Sequence, residues 1–202
     1  MNKAVVEKYI SESISWEDYF QLTEKIVAKE ISAPIYEDEK MWQYTQANLL
    51  RMQNVLKNIT INSKLYNELT AVKQSYYWVL ITEPWCGDAS QIVPAIHTLA
   101  NCTDKINLRI VLRDSADDLM NLYLTNGGKA IPKLICVNEK MEEELFVWGP
   151  RPVALQEIVT ANKDRTDISF GEKVRMIHAW YEADISQTLQ KEFIDLIKIL
   201  NK

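Results

Sequence analysis

The sequence predicts an α/β fold, a central mixed four-stranded sheet flanked by helices, with helical additions at both ends. Three observations carry that expectation. Tyr76 to Thr82 is almost continuously apolar and aromatic, the signature of a strand covered on both faces, as in the parallel part of a sheet between helices. Ile106 to Asp114 (INLRIVLRD) is a second such run, reached through a segment of helical periodicity. Lys133 to Asn138 and Glu143 to Trp148 flank the charged turn Glu139-Lys140-Met141-Glu142 and read as an antiparallel hairpin beside the parallel pair.

Taken in order, Ser15 with Asp18 three residues on forms a capping signal ahead of Tyr19, Leu22, Ile26 and Val27, so a helix is expected over 15–31. Ser32-Ala33-Pro34 interrupts it. Glu37 to Lys57 follows without an internal Gly or Pro and carries Trp42, Leu49, Met52 and Leu56 on one stripe. A third helix is expected over 63–73, before the first strand. After that strand, Ala89, Ile92, Val93, Ile96, Leu99 and Ala100 recur at helical spacing, with Pro94 removing one internal hydrogen bond and expected to kink the helix. Asp114-Ser115 can cap a short helix over 116–125 with Leu119, Leu122 and Tyr123 inward, and Gly127-Gly128 stops it. Pro150-Arg151-Pro152 leads into a helix over 153–161. Beyond the polar linker 163–167, Val174, Ile177, His178 and Tyr181 mark one helix, and Ile185, Leu189, Phe193, Leu196, Ile197 and Leu200 another, with a turn at Glu182-Ala183-Asp184. The expected organisation is therefore an N-terminal helical extension over 1–63, an α/β domain over 64–163 and a C-terminal helical extension over 164–202. The apolar stripes require both extensions to pack on the domain or on each other.

The chain's 202 residues, 47% of them hydrophobic, suffice for one principal core. Its net charge of −5 comes without a basic block, so neither nucleic acid nor a membrane surface is an expected partner. Three cysteines, none in a C-x-x-C pair and none near the two histidines in sequence, argue against a disulfide scaffold and a structural zinc site; no metal or cofactor is expected. The first twenty residues lack a long apolar run and no segment approaches a membrane span, which makes a reducing cytoplasm the expected location.

Function concentrates where the first strand breaks. Glu83-Pro84 ends it, and Trp85-Cys86-Gly87-Asp88 opens the next helix, placing Cys86 near a helix N-terminus. Free N–H groups and the dipole there favour a thiolate, while the Asp88 carboxylate opposes a second negative charge, so modest thiol activation is expected. This WCGD segment, with Pro94 eight residues after the cysteine, resembles the active-site segment of the thioredoxin superfamily. Asn126 to Val137 (NGGKAIPKLICV) is similar to a thioredoxin's loop and following strand, and Gly149 to the turn before its last helix. The resemblance implies a cis peptide bond at Pro132 facing Cys86, with the backbone of Ile131 exposed for an extended peptide.

The departures from that pattern bear on activity. Ala89 stands where a dithiol thioredoxin has its resolving cysteine, and Leu80 where such proteins carry a buried acid. The nearest resemblance is to bacterial WCGD-type thioredoxin-like proteins lacking the resolving cysteine. Two function classes stay open. In one, Cys86 is the catalytic residue of a monothiol thiol–disulfide exchange protein that forms mixed disulfides with a protein or low-molecular-weight thiol. In the other, the protein is a redox-inactive binding module using the groove around Trp85, Gly87, Asp88, Ile131 and Pro132. Cys136 reads as a small core residue, Cys102 as a helix-end residue, and His97 and His178 as boundary residues of helical stripes. Oligomeric state is left open by the sequence.

Overall fold

The run Tyr76–Thr82 forms the central strand β1, buried along nearly its whole length. In the computed structural model, residues 1–31 and 33–202 are described. β1 pairs in parallel with β2 (Ile106–Leu112) and antiparallel with β3 (Lys133–Asn138), which pairs antiparallel with β4 (Glu144–Trp148). The sheet order β2-β1-β3-β4 is a mixed four-stranded sheet flanked by helices, as the sequence predicts. The outer edge of β2 is covered by Ile14, whose N–H and C=O exchange 2.9 Å hydrogen bonds with Ile110, so this edge is shielded from further strand addition.

Two helices precede that bridge and follow it. α1 (Lys3–Glu12), capped by Asn2, buries Val6, Tyr9 and Ile10; its short polar-rich sequence gave no clear periodicity, and it was not expected. α2 (Trp16–Val27) opens with the Ser15/Asp18 capping box and ends earlier than expected, at Lys29 with φ 58°. Of the interruption at Ser32-Ala33-Pro34, Ser32 lies outside the described residues, and Pro34 starts a single turn, α3 (Pro34–Glu37). α4 (Glu39–Asn58) follows and lies against α2 and against α6 (Ala89–Ala100). Its buried face is Thr45, Asn48 and Met52; of the expected Trp42-Leu49-Met52-Leu56 stripe only Met52 is buried, Trp42 and Leu49 being partly buried and Leu56 exposed. The helix turns this way because Asn48 Nδ2 donates to Pro84 O at 2.9 Å, a bond apolar periodicity does not register.

α5 (Ser63–Thr70) is capped by Asn62 and is one turn shorter than expected. After β2, a 3₁₀ turn at Arg113–Ser115 and the four-residue α7 (Asp117–Met120) replace the longer helix, leaving Leu122 exposed while Leu119 and Tyr123 are buried. Gly149, after β4, has φ +105°, and an added Cβ would lie 2.4 Å from Pro132 O, so only glycine fits there. α8 (Val153–Asn162), α9 (Phe170–Asp184) and α10 (Gln187–Leu200) complete the chain. The turn between the last two falls at Ile185 and Ser186, both left-handed, rather than at Glu182 to Asp184; Ile185 is half exposed instead of joining the α10 stripe.

α10 is part of the main core. Phe193, with no exposed surface, meets Trp78 and Trp148 edge-on at 5.6 and 5.3 Å. Glu192 accepts the Trp148 indole N–H at 2.7 Å, and buried Gln190 bridges Asn62 N and Thr60 O. Phe193→Ala is expected to cost about 3–5 kcal/mol in equilibrium denaturant unfolding, the range for an aromatic removed from a close-packed core. A loss under about 1 kcal/mol would show that α10 does not share the core of the sheet.

Candidate functional site

The site forms where β1 passes into α6. Cys86 N donates to Glu83 O at 3.1 Å, closing a tight turn, and Ser90 N donates to Cys86 O at 3.2 Å, beginning the helical ladder. The helix proper starts at Ala89, so Cys86 lies two residues ahead of the Asp88 N-cap position. Asp88 does not cap its own helix. Its carboxylate turns away to receive Arg151 in a two-pronged pair, at 2.9 Å from Nε and 2.6 Å from Nη2, and the Tyr181 hydroxyl at 2.8 Å. Arg151 comes from the turn between β4 and α8 and Tyr181 from α9, so one buried carboxylate joins three parts of the chain.

α9 is thereby held over the cysteine. The His178 ring packs closely on Gly87: an added Cβ would sit 3.2 Å from Cε1, so a larger residue here would require the ring to shift. A cavity of about 370 Å³ remains between α4, α9 and the 85–88 segment. Trp85, Cys86, Gly87 and Asp88 line it, facing Met41, Tyr44, Asn48 and Arg51 of α4 and Val174, Ile177 and His178 of α9. Arg113 sits over the Trp85 ring, its guanidinium carbon 4.6 Å from the centroid.

Cys86 is 8% exposed, and its Sγ–H donates to Ile131 O at 3.4 Å. The Ile131–Pro132 peptide bond is cis. Ile131 and Pro132 are buried behind the sulfur and do not line the cavity, so the two halves of the expected groove are separated by the cysteine itself. The Ile131 carbonyl receives the thiol.

Burial pushes the Cys86 thiol up to about 12, with the Asp88 charge adding to the rise; the backbone N–H groups of Ala89 and Asp88 and the Arg151 charge oppose it without prevailing. This runs against the expectation of modest thiol activation, because burial outweighs the helix-end effect. Cys102 is half-buried and Cys136 fully buried in β3, and all three cysteines are unpaired. Leu80 is fully buried; the buried acid nearby is Glu83, 5% exposed, whose Oε1 accepts Asp114 N–H at 2.8 Å. Burial raises the Glu83 carboxyl to about 7. Among the described residues no cluster of ligating side chains could hold a metal ion, and no helix is long and apolar enough to cross a membrane.

Sequence reasoning found the 85–88 segment but missed Arg151, Tyr181, Asn48, Arg51 and the placement of His178. A charged residue fixed between two prolines, Pro150 and Pro152, is the one signal that could have singled out Arg151. For Glu83, the unfolded carboxyl ionises near 4.5 and the folded one near 7, so native stability falls as pH rises through that interval. Glu83→Gln, which keeps an acceptor for Asp114, is expected to be more stable than the parent at pH 8 by up to about 3 kcal/mol, with the gap closing toward pH 4.5. Thermal unfolding across pH measures this; a constant difference would show that Glu83 is ionised in the fold throughout.

Comparison with known proteins places this geometry. No curated protein matches the chain. A crystal structure of a protein of unknown function from Pseudomonas aeruginosa is similar in fold, with a TM-score of 0.60 at 15% identity over 94% of this chain and 95% of that one. An HIV epitope-scaffold is also similar, with a TM-score of 0.52 at 17% identity over 92% and 98%. A family model described as thioredoxin matches residues 35–165, which takes in α4, the whole sheet and the cysteine turn but not α9. Matched over more than half its length, the chain belongs to this thioredoxin family.

Proposed function

We propose that this thioredoxin-fold protein is a binding module that takes a small ligand into the cavity over Cys86 and keeps the thiol protonated. The observation that carries this reading is the state of Cys86: buried on the cavity wall, bonded to Ile131 O, its thiol pushed up to about 12. A thiol so placed is a poor nucleophile at neutral pH, since the thiolate is the attacking species. The chain also reads as a WCGD-type member without a resolving half. Ala89, fully buried, stands three residues after Cys86, and Leu80 offers no proton acceptor. A cavity of about 370 Å³ is within the usual size of small-molecule sites. A reducing cytoplasm suits three unpaired cysteines.

One observation favours the second reading, monothiol exchange. The backbone N–H groups of Asp88 and Ala89 and the Arg151 charge all favour a negative sulfur, and would do so more effectively if α9 moved aside. In that reaction the Cys86 thiolate attacks one sulfur of a low-molecular-weight disulfide, the S–S bond breaks, and the released thiolate takes up a proton. An external thiol then reverses the adduct. Intact-mass measurement after treatment with oxidised glutathione separates the two. The binding reading expects no adduct on the native protein and adducts only after denaturation. A single thiol-reversible adduct on native protein, absent from Cys86→Ser, would overturn it in favour of exchange.

A further inference from the structure

The charges around the cavity do not balance. Asp88 and Arg151 neutralise each other across a two-pronged pair that Tyr181 completes. The remaining charged lining residue, Arg51 of α4, makes one hydrogen bond, from Nη1 to Asn48 Oδ1 at 2.8 Å, and no ion pair among the described residues. Glu182 of α9 acts on it only at a distance beyond salt-bridge contact. Burial lowers the Arg51 pKa, and His178 of α9 is lowered by burial and then by the Arg51 charge, with Asp88 and Glu182 opposing, so Arg51 lies within electrostatic reach of α9. Beside Asn48, Trp85 and His178, the rest of the lining is largely apolar: Met41, Tyr44, Ala47, Phe170, Val174 and Ile177, of which Phe170 is 72% exposed.

A half-buried guanidinium with most of its donors uncommitted, facing an apolar chamber, is complementary to a carboxylate on an apolar body. Arg pairs with carboxylates through two parallel N–H bonds, and such bonds strengthen where water is thin. From this charge complementarity we infer that the ligand of the cavity is a small organic carboxylate, its carboxylate paired with Arg51 and its apolar part against Met41, Val174 and Ile177. The inference rests on the small-ligand reading above. Asn48 already holds one Arg51 nitrogen and is itself tied to Pro84 O, so the guanidinium is anchored to the cysteine turn before any ligand arrives.

The test uses three probes of one shape, 3-phenylpropionate, its amide and the matching amine, titrated into the full-length protein by NMR. The expected order is carboxylate first, then amide, then amine, with the carboxylate favoured over the amide by roughly tenfold or more, the size of a charge-assisted pair. Arg51→Met should abolish that preference while leaving amide binding in place, which also shows the cavity intact; Arg51→Lys should restore part of it. Equal binding of carboxylate and amide to the parent protein would overturn the carboxylate inference but leave the small-ligand reading standing. So would tighter binding of the amine. Binding of none of the three at millimolar concentration would overturn both.

Discussion

The Asp88 carboxylate is the constraint on which the site depends. It is almost buried, it carries a charge, and it is matched by the Arg151 fork and the Tyr181 hydroxyl. Removing one partner of such a pair strands the other charge in the interior, at a cost of about 3–5 kcal/mol. Because the partners come from the cysteine turn, the turn after β4 and α9, satisfying this carboxylate also fixes where α9 lies. Two features follow from that position: His178 seated on Gly87, and the chamber left between α4 and α9 with Cys86 on its wall.

The same placement decides the chemistry of the sulfur. A helix N-terminus stabilises a nearby negative charge by about 0.3–1 kcal/mol in exposed settings. The rise of the Cys86 thiol from 9.0 to about 12 corresponds to on the order of 4 kcal/mol against the thiolate. Burial is the larger effect, and Asp88 adds to it. A segment resembling a thioredoxin active site thus sits in surroundings that disfavour a thiolate. Its aspartate, which on sequence alone serves the helix dipole, acts as a tie to a helix nearly a hundred residues away.

The sheet was legible in the sequence because its signals are local. β1 begins and ends where its apolar run does, and β3, a nearly continuous buried run, and β4, with an alternating pattern, flank one charged turn. Helix faces were less legible wherever a polar group is buried for a specific partner. Asn48 and Thr45 occupy the inner face of α4, and only the Asn48 bond to Pro84 O makes sense of that rotation. Short elements such as α1 and α7 are held by packing rather than by their own pattern. In the site, the contiguous Trp85 to Asp88 segment could be read, whereas Arg151, Tyr181 and Arg51 could not. Their roles exist only once segments distant in sequence meet, and burial, which sets the thiol's character, is a property of the packed molecule.

The claim that the fold keeps Cys86 buried and protonated is tested most directly by the pH dependence of its alkylation. Native protein would be treated with iodoacetamide at a series of pH values and the modification at Cys86 quantified by peptide mapping. The structure predicts slow reaction at neutral pH and a rate still climbing at the highest pH at which the protein remains folded. A rate that levels off with a midpoint at or below that of a free cysteine, about 8.5, would contradict it.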